Sequence, residues 1–171
     1  NSIYLRQIMQ QYAAGKSDDL AYRLARRNAH NADAALSTTL ANMLMEPGHF
    51  RKEADVGFRF LVLSHTLLSY LSGLGAHRDT SLPSDVREHL IEGAGNSLAA
   101  SIDEIATGLA NKQSIAIQSD AEEALAAELE QMPDEIDEGQ RLVQTQLALI
   151  CRQLGPLRTL AAHLIKDTGA A

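Results

Sequence analysis

The chain has 171 residues, of which 45% are hydrophobic but only 4% are aromatic, and it contains no tryptophan. This length suffices for one domain with a sizeable core, and the apolar side chains are mostly Leu, Ala, Ile and Val, which favour helices. The net charge of −7 argues against a nucleic-acid-binding protein, and the single cysteine, Cys151, excludes an internal disulfide and a Cys-x-x-Cys metal site.

Two helices are predicted at the start of the chain from apolar spacing and from the residues that begin and end helices. The first covers about Ser2–Ala14 and ends at Gly15. The second begins after Ser17, a typical N-cap residue, and runs to about Met45, before Pro47. Its buried side is expected to consist of Leu20, Leu24, Ala34, Leu36, Leu40, Met43 and Leu44.

A third helix is predicted over about Phe50–His77. Its segment 60–76 contains no charge if His65 is neutral, but a membrane-spanning helix needs about 20 apolar residues and this segment is interrupted by serines and glycines. We therefore expect a buried core helix rather than a transmembrane one. Its inward-facing residues are predicted to be Ala54, Phe58, Leu61, His65, Leu68 and Ser72, with Leu67, Leu71 and Leu74 beside them.

A fourth helix is predicted over about Asp85–Asn111, because Pro83 fits the first turn of a helix. Residues 112–118 are expected to form a loop. The stripe that faces the core is predicted to be Val86, Leu90, Ala94, Leu98, Ile102, Ile105 and Leu109.

The last part of the chain is predicted to form a short helix and a long one. Ser119 and Glu122 have the spacing of a capping box, which would open a helix that ends near Met132. The long helix covers about Glu135–Asp167, and Pro156 is expected to bend it. Residues 118–140 carry nine acidic side chains and no Lys or Arg, which is typical of a solvated face. The apolar stripe of the long helix is predicted to be Val143, Leu147, Ile150, Leu154, Leu157, Ala161 and Leu164.

No segment alternates with the period of two that is typical of a strand. The sequence therefore predicts an all-α fold, in which residues 1–171 form a single helical domain. Short connections favour an antiparallel bundle of about four long helices plus one or two short ones.

Signals of enzyme chemistry are weak. The only Glu-x-x-His spacing, at Glu46 and His49, is interrupted by Pro47 and Gly48, so it indicates a helix end rather than a metal-binding pair. The other histidines lack zinc-like spacing, and no convergent acid–base cluster is found. We predict a protein that is not an enzyme and has no catalytic, cofactor-binding or metal-binding residues.

The second helix carries a cluster of polar residues beside alanines that would let a neighbouring helix approach closely. Arg27, His30 and Asn31 share one face of this helix. The favoured interpretation is a polar network between helices, because buried polar groups are usually paired. The alternative is a site for an anion or a partner. The candidate residues are Arg23, Arg26, Arg27, His30, Asn31 and Glu46.

The same helix carries a resemblance to a known family. The block Ala21-Tyr22-Arg23, the run Arg26-Arg27-Asn28-Ala29-His30-Asn31, then Ala34-Ala35-Leu36-Ser37, Met43 and Glu46-Pro47 resemble the YccS/YhfK branch of the fusaric acid resistance (FUSC) family. This family consists of inner-membrane proteins related to aromatic-acid exporters. The resemblance implies that the chain is the C-terminal cytoplasmic domain of such a protein, a fragment of a larger membrane protein. We expect this domain to act in assembly, gating or regulation of transport. A sensor that binds a small anionic aromatic acid between helices is the alternative.

The distribution of charge fits this resemblance. Residues 1–78 hold nine basic and six acidic side chains, whereas residues 79–171 hold six basic and sixteen acidic ones. Arg6, Lys16, Arg23, Arg26 and Arg27 would lie on the membrane-proximal side, as the positive-inside rule favours. The expected partners are the transmembrane part of the same protein, an anionic membrane surface near the N-terminal half and a second copy of the chain, and no nucleic acid.

Overall fold

A computed structural model describes residues 1–14, 19–45, 51–133 and 135–168. Over these ranges the chain forms helices joined by turns and loops and contains no strand, which confirms the all-α prediction. The elements in chain order are α1 (Ser2–Ala14), α2 (Asp19–Met45), α3 (Arg51–Ala76), α4 (Ser84–Arg87), a π-helical segment (Glu88–Gly95), α5 (Asn96–Asn111), α6 (Asp120–Glu130) and α7 (Glu138–Thr168).

Helices α2 and α3 lie antiparallel. Asp33 Oδ2 is 2.9 Å from His65 Nδ1, and His30 Nε2 is 3.5 Å from Ser72 Oγ. Residues later in α3 therefore contact residues earlier in α2. This pairing agrees with the antiparallel arrangement that the sequence predicts.

Helix α7 packs against both α3 and α6, again in antiparallel fashion. Gln153 Nε2 donates to the Leu63 carbonyl at 3.4 Å, and Gln144 Nε2 donates to the Leu129 carbonyl at 3.0 Å. Cys151 Sγ lies 3.2 Å from the Glu122 carbonyl oxygen, nearer the start of α6. The long α7 therefore joins α3 and α6 within the bundle.

The core lies between α1, α2, α3, the π-helical segment, α5, α6 and α7. The stripes predicted for the fourth and the last helix are confirmed, since Leu90, Leu98, Leu147 and Leu154 are almost fully buried. Other residues with almost no exposed surface are Tyr4, Leu5, Ile8, Leu68, Leu71, Leu74, Ile91 and Leu129. These aliphatic side chains supply the hydrophobic free energy of the fold.

The predicted buried side of α2 is wrong in part. Leu20 is 65% exposed, Leu24 is 46% exposed and Leu44 is 52% exposed. The helix instead turns its small residues towards its neighbours, because alanine side chains allow the backbones to approach more closely than leucine would. The buried residues of α2 are Tyr22, Ala25, Ala29 and Leu40.

The predicted inward side of α3 is confirmed in part. Leu61 and Leu68 are buried as expected, together with Leu67, Leu71 and Leu74, whereas Phe58 is 42% exposed and His65 is also exposed. The predicted cap at Ser17 and the helix end at residues 46–50 lie outside the described residues. None of the described helices combines the length and the hydropathy that a membrane-crossing segment requires.

The predicted fourth helix is interrupted by the π-helical segment. From Val86 to Ile102 its apolar stripe advances in steps of four residues, which is more than the 3.6 residues of an α-helical turn. A stretch with the wider i→i+5 hydrogen bonding keeps such a stripe in line. Gly95 ends the segment where Met9 of α1 crosses it, and a Cβ at Gly95 would overlap the Met9 sulfur.

Candidate functional site

The predicted polar cluster of α2 lies on the surface. Arg23, Arg26, Arg27, His30 and Asn31 are all exposed, so this cluster is not buried as the favoured interpretation expected, although His30 Nε2 lies 3.5 Å from Ser72 Oγ of α3. Glu46 lies outside the described residues.

The position of Ala29 explains this correction. Successive residues of an α-helix are turned by about 100°, so the residues two before and two after a buried position point almost to the opposite side. Ala29 is 8% exposed and faces the core. Arg27 and Asn31 therefore share a face, as predicted, but this face points outward.

Three arginines meet at one end of the α2–α3 pair. A cavity of about 280 Å³ is lined by Tyr22, Arg23, Arg26, Ser72, Ala76 and Arg78. We call it the arginine groove. Arg78 was not among the predicted candidates, because it follows the end of α3 and only the packing of α3 on α2 brings it to the others.

A second, shallower depression adjoins the arginine groove. It has a volume of about 310 Å³ and is lined by Arg23, Arg26, Arg27 and His30. Because Arg23 and Arg26 line both depressions, the four exposed cationic or titratable side chains of α2 form one continuous surface with Arg78. This surface gives the structure a basic patch although the whole chain is acidic.

Tyr22 forms the floor of the arginine groove, and Tyr4 packs behind it. Tyr22 is 5% exposed and Tyr4 is 1% exposed. Their hydroxyl oxygens are 3.3 Å apart, and their ring centroids are 5.6 Å apart. Burial, followed by the hydrogen bond to Tyr22, raises the pKa of Tyr4 well above its ordinary value, so this hydroxyl stays neutral at physiological pH.

Gly75 and Arg78 hold Tyr22 in place. A Cβ at Gly75 would lie 2.7 Å from the Tyr22 hydroxyl oxygen, so only glycine leaves room for the ring. The guanidinium carbon of Arg78 lies 4.3 Å from the centroid of the Tyr22 ring, a cation–π geometry. Nη1 of Arg78 also donates to the Gly75 carbonyl at 3.0 Å.

A second polar cluster, which the sequence did not predict, lies inside the bundle. Arg158 of α7 is only 2% exposed, and its Nε lies 2.9 Å and 3.0 Å from the two carboxylate oxygens of Glu122. Its Nη2 is also 2.8 Å from Glu104 Oε2. This contact lowers the pKa of the Glu104 carboxyl, chiefly through the hydrogen bond from Arg158.

The acidic segment 118–140 is therefore not simply a solvated face. Glu122 is 8% exposed, and Glu123 and Glu130 both pair with Arg152, at 3.0 Å and 2.7 Å. The signal that could have revealed the buried pair is an arginine, Arg158, between the apolar residues of the α7 stripe. A charge in that position requires an acidic partner.

Chemistry at a metal centre receives no support from the geometry. Within residues 1–14, 19–45, 51–133 and 135–168, no group of three or more His, Cys, Asp or Glu side chains is arranged to hold a metal ion.

The thiol of Cys151 is not activated as a nucleophile. Its burial and, to a lesser extent, the negative charge of Glu122 raise the pKa of this thiol to about 11, which disfavours the reactive thiolate.

Comparison with known proteins gives partial matches. The chain is 48% identical over 79 residues to the inner membrane protein YccS of Escherichia coli K12, and this match covers 46% of the chain and 11% of YccS. This part of the chain is related to YccS. An uncharacterised protein of Haemophilus influenzae is 54% identical over 79 residues, again 46% of the chain and 11% of the relative. The uncharacterised protein ORF2 of Neisseria gonorrhoeae is 37% identical over 73 residues, which are 42% of the chain and 18% of the relative.

The matches cover only 11–18% of the length of each relative. They therefore identify a YccS-type segment and not the activity of a whole protein. No family model and no solved structure matches the chain.

Proposed function

We propose that the chain is a helical module of a YccS-type inner-membrane transport protein, placed on the cytoplasmic side, where it acts in assembly, gating or regulation. The observation that carries the proposal is the 48% identity to YccS over 79 residues. The basic surface of α2 adds support, because cytoplasmic segments next to a membrane are enriched in Lys and Arg. The resemblance to the fusaric acid resistance family motivates aromatic acids as the exported compounds.

In this proposal the contribution of the module is mechanical rather than catalytic. Helices α2 and α3 form an antiparallel pair whose inner side packs on the core and whose outer side carries the basic surface. The transmembrane part of the same protein or an anionic membrane surface would contact that outer side. A shift of the pair would then be passed to α7, which packs along α3.

The proposal is tested by deleting residues 1–171 from the full-length protein. We expect the deletion to reduce the size of the assembled complex in detergent or the rate of export of aromatic acids from cells. A variant with Arg59→Gln, which removes one exposed charge of α3 away from the groove, serves as a control and should behave as wild type. Unchanged assembly together with unchanged export would refute the proposal.

A second function, a sensor of a small anion, is favoured by one specific observation. The arginine groove lies between two helices, has three arginines in its lining and has a tyrosine floor. A ligand there would contact α2 and α3 together, so binding would change how firmly the two helices are held. Calorimetric titration of the chain with a series of aromatic carboxylates and phosphates tests it, and an absence of heat from every anion would exclude it.

A further inference from the structure

We infer that the arginine groove binds a phosphate group, carried either by a soluble phosphomonoester or by the headgroup of an anionic lipid. The inference rests on the proposed sensor function and specifies its ligand. It differs from the sequence-based expectation in its residues, because the lining includes Arg78, Tyr22 and Ser72 but not Arg27 or His30.

The charge and the donors of the groove favour phosphate over a carboxylate. Arg23 and Arg26 line the cavity from α2 and Arg78 lines it from the turn after α3, so positive charge comes from two parts of the chain instead of from one arginine. A carboxylate is satisfied by a single bidentate arginine, whereas a phosphate has three oxygens and nearly two negative charges to share. Two further residues of the lining, Tyr22 and Ser72, carry hydroxyl groups, which are neutral hydrogen-bonding groups.

The shape of the groove argues against an aromatic ligand. The only aromatic residue of the lining is Tyr22, and Arg78 already covers its ring at 4.3 Å. Tyr4 packs on the same ring at a centroid distance of 5.6 Å, so little ring surface remains on which a second aromatic group could stack. The rest of the apolar lining consists of the Ala76 methyl group and the aliphatic parts of the arginine side chains, which offer no flat surface for an aromatic ring. A compact, highly charged group fits this lining better than an aryl acid does.

The local electrostatics are also favourable. Asp33 lies on the same side of α2 as the arginines, but it is further along the helix pair, where its Oδ2 is 2.9 Å from His65 Nδ1. Asp79 follows Arg78 in sequence and is exposed, so water screens it from the groove. An anion in the groove thus meets cationic groups before it meets carboxylates.

The test uses the 171-residue chain with two phosphate sources and one charge control. Inorganic phosphate is titrated by calorimetry, and phosphatidylcholine vesicles that contain phosphatidic acid are used in a sedimentation assay. Vesicles with the same fraction of phosphatidylserine, which has no phosphomonoester, control for surface charge. Benzoate is titrated as a carboxylate without a phosphate.

Two variants report on the groove. Arg26→Gln removes one charge from the lining and should weaken phosphate binding about tenfold, which corresponds to about 1.4 kcal/mol. Tyr22→Phe removes only the hydroxyl and keeps the ring under Arg78, so it should weaken binding by a smaller factor. Arg59→Gln, an exposed charge on α3 outside the groove, is the matched control and should bind as wild type. Far-ultraviolet circular dichroism and thermal unfolding verify that each variant is folded.

The outcomes distinguish a soluble phosphate from a lipid headgroup. They also distinguish failure of the phosphate inference from failure of the sensor function. Binding of free phosphate supports a soluble ligand, and binding of phosphatidic acid vesicles that Arg26→Gln weakens supports a lipid headgroup. Benzoate binding without phosphate binding would overturn the inference and leave the sensor function standing. If no anion binds, both fail, and equal losses in Arg26→Gln and Arg59→Gln would also overturn the inference, because the effect would then be one of net charge.

Discussion

The guanidinium group of Arg158 on α7 encloses the carboxylate of Glu122 on α6 with three short contacts. Nε lies 2.9 Å and 3.0 Å from the two carboxylate oxygens, and Nη2 lies 2.6 Å from Oε1. Nη2 also reaches Glu104 of α5 at 2.8 Å. Because these contacts join three helices at one buried point, they fix the position of α6 against α5 and α7.

Loss of this arginine is expected to destabilise the fold strongly. Arg158→Met keeps most of the volume of the side chain but leaves the buried Glu122 carboxylate without its partner. Breaking one side of a buried pair costs about 3–5 kcal/mol, and we expect the lower end because Glu104 is 58% exposed and water reaches that edge. Chemical denaturation followed by circular dichroism measures the decrease.

Arg152→Met is the matched control for this prediction. Arg152 lies on the same helix and also contacts two carboxylates, Glu123 and Glu130, but its side chain is 44% exposed. Water screens such exposed pairs, so the decrease in the free energy of unfolding should be much smaller. Equal decreases for the two variants would mean that burial does not govern the strength of the Arg158 contacts.

The Glu122 contact shows what the sequence could and could not predict at this site. The spacing of Ser119 and Glu122 correctly predicted the start of α6, and Ser119 Oγ accepts from the Glu122 backbone N–H at 3.3 Å. In a complete capping box the Glu side chain would also return to the backbone N–H of the cap residue. It turns instead to Arg158, because a partner 36 residues away in the chain offers a stronger contact than the local one. Local spacing carries no information about such a partner.

The lack of information about distant partners also explains why the buried side of α2 was predicted incorrectly. Its sequence allows two apolar sides, one rich in leucine and one built on Tyr22, Ala25 and Ala29. Hydrophobicity alone favours the leucine side, whereas close packing against α1 and α3 requires the small residues. Helix bounds and fold class follow from local spacing and could be predicted. The rotation of a helix about its axis depends on the neighbour it packs against. The exposure of the arginine cluster could therefore not be predicted from the sequence.

The thiol of Cys151 is expected to be unreactive in the folded protein. Burial, followed by the charge of Glu122, raises its pKa from the ordinary 9.0 to about 11. Between these two values the unfolded chain binds fewer protons than the folded one, so the free energy of unfolding falls as the pH rises. Denaturation over this range should show a steeper fall for wild type than for Cys151→Ala. A thiol reagent that modifies the native protein as fast as the denatured one would contradict the prediction.

Substitution of Gly75 tests the tyrosine floor of the groove. In Gly75→Ala the new Cβ would lie 2.7 Å from the Tyr22 hydroxyl oxygen and 3.1 Å from that of Tyr4. Both rings are buried and stiff, so relief requires a shift of α2 or α1, and we expect a loss of about 1–3 kcal/mol. Thermal and chemical unfolding measure it.

Gly93→Ala provides the comparison for Gly75→Ala. Gly93 is exposed, and the nearest atom to the added methyl group would be the Glu88 carbonyl oxygen at 3.6 Å, an ordinary contact. Alanine also restricts the unfolded chain more than glycine does, so stability should stay the same or rise by up to about 1 kcal/mol. A loss at Gly93 as large as that at Gly75 would show that crowding by the tyrosines is not the cause.

The exposed part of the α2 cluster should tolerate substitution without loss of stability. Asn31→Leu changes a side chain that points away from the core, and His30→Leu removes only a 3.5 Å contact with Ser72. Surface substitutions of this kind change the free energy of unfolding by less than about 0.5 kcal/mol, whereas loss of a buried hydrogen-bonding partner costs about 1–3 kcal/mol. Ala29→Asn, two residues away on the buried side, is the reciprocal control and should destabilise the fold, because it inserts a polar side chain where α2 packs on the core. If Asn31→Leu proved as damaging as Ala29→Asn, the outward rotation of this face of α2 would be incorrect and a buried polar network would again be the better account of this helix.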